Sequence, residues 1–160
     1  DPGGALTAYR NAIAAHFDFI NRNSWPRAGA TIFNGTPITP AQKTAYLDGP
    51  NVKNDASLLR LSDIMLQKYI ALFGWGFNET WVDMRKYHYN KDDDPIHHDG
   101  LVYKGFQLPT TLDANNAGKP VFRVRPRFNS EYVWNRESLE KIDGLASDYH
   151  TKEMWYSIAE

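Results

Sequence analysis

The most regular pattern of hydrophobic and polar positions lies in residues 58–73. Apolar side chains recur there at helical spacing and form a broad stripe, made of Leu58, Leu61, Met65, Leu66, Tyr69, Ile70, Leu72 and Phe73. Gly74 readily takes the left-handed conformation that ends a helix. Asn78 and Glu79 suit the start of a second helix, because they can cap its free N–H groups and complement its positive end. The pattern therefore predicts a helical hairpin over residues 58–87.

Two further helices are indicated closer to the N-terminus. Residues 5–20 carry an apolar stripe at helical spacing, made of Leu6, Tyr9, Ile13, Phe17 and Ile20. A second start signal follows at Thr39, where a capping threonine precedes Pro40 and the reciprocal capping residue Gln42. We expect this short helix to end near Asp48, which precedes a glycine and a proline.

The second half of the chain, residues 88–160, is less regular. Residues 101–108 are apolar enough for a short strand, and residues 151–158 suit a last turn or short helix. In residues 121–128 the side chains alternate, with Phe122, Val124 and Phe128 on one side and Arg123, Arg125 and Arg127 on the other. Pro126 lacks an N–H group, which confines such a strand to an edge or an end. This pattern predicts an edge strand with a solvated or ion-paired arginine face.

Length and composition indicate one domain that is mainly α-helical. The chain has 160 residues, 42% of them hydrophobic, which is ample for a core. A formal net charge of −1 gives no reason to expect nucleic acid as a partner. The absence of cysteine excludes disulfides, thiolate metal sites and cysteine nucleophiles. We expect a helical part at residues 5–87 and a loop-rich part at residues 88–160, with little β-strand and no cofactor.

One pair of carboxylates has the spacing of a catalytic pair. Glu79 and Asp83 lie one helical turn apart, so both side chains share a helix face, as a glycosidase pair can. Acidic residues are also favoured in the first turn of any helix by its dipole. We favour this second explanation, and we predict no catalytic residue.

A metal site is the next candidate. His88, His97 and His98 lie close in sequence to several aspartates. The histidines do not have the H-E-x-x-H spacing, and the three consecutive aspartates lack the alternation and glycine of a calcium loop. We predict no metal site.

The five tryptophans carry most of the remaining information. Trp81 and Arg85 are four residues apart on a predicted helix, so the guanidinium can stack on the indole. We expect Trp81 and Trp155 to pack in the core or at its rim. Trp25 and Trp75 lie in predicted loops, where aromatic rings often form the stacking surfaces of sugar-binding sites.

Trp25 and Arg27 are the candidate ligand-binding residues. Trp25 is flanked by amide side chains and by Arg27, which together offer a stacking face and hydrogen bonds to hydroxyl groups. The adjacent Pro26 limits the freedom of the loop. The alternative is that Trp25 folds back and packs against the core, and general burial tendencies favour that explanation.

Three segments resemble one protein family. The run QKYIALFGWGFNETWVDMRKY, which contains Glu79, Trp81, Asp83 and Arg85, resembles the E-x-W-x-D-x-R segment of SusD/RagB-like nutrient-binding lipoproteins. The run RVRPRFNSEYVWN resembles their C-terminal segment, with Arg125, Phe128, Glu131 and Asn135 at the matching positions. Asn129 stands where that pattern usually has proline, which indicates a divergent branch. The ending DYHTKEMWYS is similar to the last segment of the same branch.

The resemblance implies a lipid-anchored protein on the surface of the bacterial outer membrane. It would bind a glycan or another nutrient, deliver it to a SusC-like TonB-dependent transporter and catalyse no reaction. The chain would be the C-terminal portion of a larger protein, with the lipid anchor upstream of this chain. The implied fold is mainly α, with helical hairpins packed against an irregular part. The motif residues would hold that part together through hydrogen bonds: Trp81, Asp83, Arg85, Glu131 and Asn135.

Two other classes of function remain open from the residues alone. One is a glycoside hydrolase fragment that uses Glu79 and Asp83. The other is a structural helical module that binds another protein. Finding the sequence upstream of this chain would separate these classes best, because a lipobox cysteine supports the nutrient-binding hypothesis.

Overall fold

The computed structural model describes residues 1–23, 36–90, 102–103 and 106–158. The chain divides into two compact units, one made of residues 1–77 with 101–104 and the other of residues 78–100 with 105–160. The fold is mainly α, as predicted, and no β-strand forms in the described ranges. No helix among the described residues has the length and apolar character needed to cross a membrane.

The first unit is built on three helices. These are α1 (Pro2–Asn23), α2 (Pro40–Leu47) and α3 (Leu61–Leu72), and both α2 and α3 pack against α1. The core contains Tyr9 and Ile13 of α1 together with Val52. Five partly buried residues pack around them: Leu6, Phe17, Tyr46, Leu47 and Leu59. The apolar stripe predicted for α1 is therefore confirmed as the face that forms the core.

Local end signals placed α2 and the end of α3 correctly, whereas Asn78, expected to cap the next helix, lies inside it. The Thr39 hydroxyl accepts a hydrogen bond from the Gln42 N–H at 3.2 Å, and the Thr39 N–H donates to the Gln42 side chain at 2.9 Å. After α3, Gly74 has φ = 77°, the left-handed conformation predicted for the helix end. The C-terminal end of α2 is also held by Arg10, whose guanidinium donates to the Leu47 carbonyl at 2.8 Å and to the Asp48 carboxylate at 3.0 Å.

The apolar stripe predicted for residues 58–73 is only partly correct. The helix starts at Leu61, because the Asp63 carboxylate accepts the Arg60 N–H at 2.9 Å and fixes the first turn. Met65 is buried, whereas Phe73 is 75% exposed. Leu58, Tyr69 and Ile70 are also exposed. A helix that packs along one narrow face leaves the flanking positions of a broad stripe uncovered.

The second unit is a chain of short helical turns. It contains most of α4 (Phe77–Lys86) and all of α5 (Arg136–Lys141). Single 3₁₀ turns lie at His88–Asn90, Ala114–Asn116 and Tyr149–Thr151, and a π-helical turn lies at Phe128–Tyr132. Its described buried residues are Arg85, Tyr87, Phe122, Leu139, Gly144, Thr151 and Ser157. Between the turns, long-range hydrogen bonds to backbone carbonyls replace regular secondary structure.

Neither predicted strand forms in the described residues, and residues 101, 104 and 105 of the strand predicted at 101–108 lie outside them. Residues 121–127 form no regular secondary structure, and Phe128 already belongs to the π-helical turn. The N–H groups of Phe122 and Arg123 instead share the His150 carbonyl, at 2.8 and 3.1 Å. Val124 and Phe128, predicted to lie on the same side as Phe122, are exposed, whereas Phe122 is buried. In residues 101–108, the described Val102 and Tyr103 are buried but form a bend.

The predicted solvated or ion-paired arginine face was wrong at Arg123, whereas Arg125 is exposed as predicted. Arg123 donates from Nε to the Lys152 carbonyl at 3.0 Å and also binds the Glu153 carbonyl. Arg125 donates to the Ala146 carbonyl at 3.1 Å and to the Ser147 carbonyl. Arg127 is exposed. A guanidinium has five N–H donors, so Arg123 and Arg125 can each satisfy several carbonyls that a strand ladder would otherwise bind.

Candidate functional site

A groove opens on the first unit between α1, α2 and α3. Its volume is about 440 Å³, which is within the range of small-molecule sites. The α1 side is lined by Tyr9, Ala12, Ile13, His16, Phe17 and Ile20, and the other sides by Tyr46, Ile64, Gln67, Lys68, Ile70 and Ala71. We call this feature the α1–α3 groove.

The helical pattern explains why the groove is open and apolar. Ala12 of α1 and Ala71 of α3 are too small to fill the space between their helices. Tyr9 and Ile13 are buried in the core, whereas Ile64 and Ile70 remain substantially exposed. The groove therefore offers uncovered apolar surface next to a packed core, which is the usual make-up of a ligand site.

Two of the polar side chains that line the groove are held in place by hydrogen bonds. The Tyr46 hydroxyl and the Gln67 side chain are hydrogen-bonded to each other, at 3.1–3.2 Å. The Gln67 amide also donates to the Asn51 carbonyl at 3.2 Å, and the Tyr46 ring meets Phe17 edge to face at 5.2 Å. Such bonds hold the two polar side chains in one orientation, so a ligand meets a preformed wall.

His16 and two neighbouring rings extend the groove. His16 lines the groove and stacks on Phe19 with 6.1 Å between ring centroids. Phe19 in turn meets Trp75 edge to face at 5.3 Å, and Trp75 is 60% exposed. Burial lowers the pKa of His16 below its ordinary value, which favours the neutral ring at pH 7. A neutral imidazole has one donor and one acceptor nitrogen for a bound molecule.

The structure describes only some of the predicted site residues. Trp25 and Arg27 lie outside the described residues. The structure therefore tests neither ligand binding by Trp25 nor its packing against the core. Trp75, which was predicted to lie in a loop, contacts the Phe19 ring next to the groove. Sequence reasoning missed the groove itself, because α1 and α3 are about 50 residues apart and no local pattern predicts their pairing.

The catalytic and metal candidates lie in the second unit. Glu79 is exposed in the first turn of α4, as the explanation from the helix dipole predicts. His88 approaches the Glu153 carboxylate at 3.2 Å. His97 and His98 lie outside the described residues. In the part of the chain that the structure describes, no three potential metal ligands come together.

The stacking of Arg85 on Trp81 is confirmed. The guanidinium carbon lies 3.8 Å from the indole centroid, and the indole N–H donates to the Tyr89 hydroxyl at 2.9 Å. Trp81 is half-buried and belongs to the rim, as expected. Trp155 is 81% exposed, so its predicted place in the core or rim was wrong. The neighbouring Ser157 is fully buried instead, with its hydroxyl bonded to the Met154 carbonyl at 2.8 Å.

The motif residues divide into two kinds. Arg85 is buried and donates to the Phe122 carbonyl at 2.6 Å, a bond that spans 37 residues and ties the irregular segments together. Asn135 donates to the Glu131 carboxylate at 2.7 Å, only four residues away and at the surface. The expected structural role therefore fits Arg85, whereas the bond between Glu131 and Asn135 ties no distant segments.

Comparison of the chain with protein-family models, with curated proteins and with solved structures finds no match.

Proposed function

We propose that this chain is part of a non-catalytic protein that binds a glycan or another nutrient at the bacterial cell surface. The protein delivers the nutrient to a SusC-like TonB-dependent transporter in the outer membrane. A lipid anchor upstream of this chain holds it at the membrane.

The observation that carries the proposal is the α1–α3 groove. Its apolar walls, its fixed Tyr46 and Gln67 side chains and its neutral His16 suit reversible binding of a small molecule. The nearby Trp75 adds an exposed indole, which can stack on the apolar face of a ring. These groups provide shape and hydrogen bonds for recognition.

The sequence supports the proposal independently. The segment with Trp81 and Arg85 resembles the nutrient-binding lipoproteins, and the buried bond from Arg85 to Phe122 suits the structural role that this resemblance implies. The mainly helical fold agrees with the same family.

Two variants that replace an alanine of α1 with phenylalanine test whether the groove binds the nutrient. Ala12→Phe places a ring in the groove, whereas Ala15→Phe makes the same change at an exposed position of α1 that does not line it. The native host, without its own copy of the protein, is complemented with one full-length variant at a time. It is then grown on a panel of media that each supply a single nutrient. We expect Ala12→Phe to weaken uptake of one nutrient by at least about tenfold, or about 1.4 kcal/mol in apparent affinity.

The controls decide what a loss means. Equal losses from both variants would indicate damage to α1 and would count against the groove. Full uptake with Ala12→Phe would place the ligand elsewhere. Release of reducing ends from a polysaccharide, abolished by Glu79→Gln, would refute the non-catalytic function and support a glycoside hydrolase.

A further inference from the structure

Trp134 of the second unit is a large apolar side chain exposed to solvent. It follows the π-helical turn Phe128–Tyr132 and precedes α5, and it is 84% exposed. A side chain this exposed contributes little apolar burial to the fold. Its indole faces are therefore open to a ligand.

Two polar side chains accompany this indole. Glu131 lies three residues before Trp134, which makes the two neighbours on a helical turn, and Asn135 follows directly. The Asn135 amide donates to the Glu131 carboxylate at 2.7 Å. Among the described residues neither side chain makes a further hydrogen bond or ion pair. One carboxylate oxygen, the amide oxygen and one amide N–H therefore remain for a ligand.

The backbone that carries these side chains is held in place. The Tyr132 hydroxyl accepts from Arg125 at 2.7 Å and donates to the Gly144 carbonyl at 2.9 Å. The Glu131 and Asn135 N–H groups are bonded within the turn, at 2.9 and 3.0 Å. A fixed backbone lowers the ordering cost of binding.

We propose that Trp134, Glu131 and Asn135 form a binding site for a pyranose ring of a glycan. The flat C–H face of a sugar with equatorial hydroxyl groups stacks on the indole. Its hydroxyl groups donate to Glu131 and accept from Asn135. The site lies in a different unit from the α1–α3 groove and shares no residue with it. The inference rests on the proposed function only in taking a glycan as the ligand.

The polar pair favours a sugar over a protein surface at this site. Glutamate is depleted at the centres of protein interfaces, because burying its carboxylate is costly. A sugar leaves the carboxylate partly solvated and supplies hydroxyl donors to it. A charged acceptor also makes a stronger hydrogen bond with such a hydroxyl than a neutral one does.

Trp155 provides a matched control within the same unit. It is 81% exposed, nearly as exposed as Trp134. Its ring meets Tyr156 edge to face at 5.7 Å, and the nearby Glu153 carboxylate binds His88. Trp155 therefore has a similar open indole without a comparable polar pair.

The test is a titration of the isotope-labelled chain with cellotetraose, followed through the indole N–H signals of the tryptophans. Variants Trp134→Ala and Trp155→Ala assign two of these signals. We expect a saturable shift of the Trp134 signal, at least a tenfold loss of affinity in Trp134→Ala and about a threefold loss in Glu131→Gln. Trp155→Ala should bind as wild type does. Sorbitol at matched hydroxyl concentration should shift nothing, because it has no ring face.

Several results would overturn the inference. An unshifted Trp134 signal, an equal shift with sorbitol, or an equal loss in Trp155→Ala would each remove the site. Self-association that Trp134→Ala abolishes, with no sugar effect, would make the indole a protein contact. None of these results bears on nutrient binding in the α1–α3 groove. Either proposal can therefore fail while the other holds. Thermal unfolding of each variant confirms that the exposed substitutions leave the fold intact.

Discussion

Removing the Arg85 side chain is expected to destabilise the second unit strongly. Arg85 is 7% exposed, and its guanidinium lies 3.8 Å from the Trp81 centroid and 5.6 Å from that of Tyr156. It donates to the buried Phe122 carbonyl at 2.6 Å. Arg85→Ala removes all of these contacts and leaves the carbonyl without this donor.

The magnitude follows from those contacts. A hydrogen bond from a charged donor contributes about 1.5–3 kcal/mol. A shielded cation–π contact contributes about 1–2 kcal/mol. Because the contacts share one side chain they do not simply add, and we expect Arg85→Ala to lower the free energy of unfolding by about 3–4 kcal/mol.

Chemical denaturation followed by circular dichroism measures this loss. Lys86→Ala is the control, because Lys86 is the next residue of α4 and is exposed, so its removal should change stability by less than about 0.5 kcal/mol. Arg85→Lys keeps the charge but loses the planar fork, and it should fall between the two. An Arg85→Ala variant as stable as Lys86→Ala would refute the structural role of the buried guanidinium.

Four further predictions address other parts of the chain. Trp81→Ala should lower the free energy of unfolding by about 2–3 kcal/mol, below the range for a fully buried ring, because Trp81 is half-buried. Trp155→Ala should leave the denaturation midpoint nearly unchanged, and a large loss there would contradict its exposure. Burial lowers the pKa of His16, so the unfolded chain binds a proton more readily and stability should fall as pH drops below about 6.5. His16→Gln should flatten this dependence, and an identical pH profile would remove His16 as its cause. Glu79→Gln should leave stability within about 0.5 kcal/mol of wild type, and a larger loss would show that this exposed side chain supports the fold.

The helical half was predictable because its signals are local. The capping residues at Thr39 and the left-handed Gly74 act within a few residues of themselves. The apolar stripe of α1 has one consistent period, and its centre at Tyr9 and Ile13 is buried. Such features need no knowledge of the partner helix.

The loop-rich half was harder because its organisation depends on distant carbonyls. The alternation in residues 121–128 indicates a strand, yet Arg123 reaches carbonyls about 30 residues away and no strand forms alongside in the part of the chain that the structure describes. Pairing between segments is a tertiary choice that a single alternating run does not encode. The motif did indicate that Arg85 matters, and its stacking partner Trp81 followed from helical spacing.

The candidate sites divide in the same way. The α1–α3 groove depends on how two helices far apart in sequence meet, so its lining could not be derived from either helix alone. The exposure of Trp134 could not be predicted either, because an aromatic residue in an irregular segment can pack against the core or stay exposed to a ligand. Trp25 and Arg27 stay predictions.

Isolation of the full-length protein from outer membranes of its native host tests the central claim most directly. The protein is extracted in mild detergent and captured through a C-terminal tag, and the proteins that remain bound are identified and quantified. The account predicts that a TonB-dependent transporter is recovered in near-equal amount. Recovery of the protein without any such transporter, under conditions that preserve other outer-membrane complexes, would contradict it.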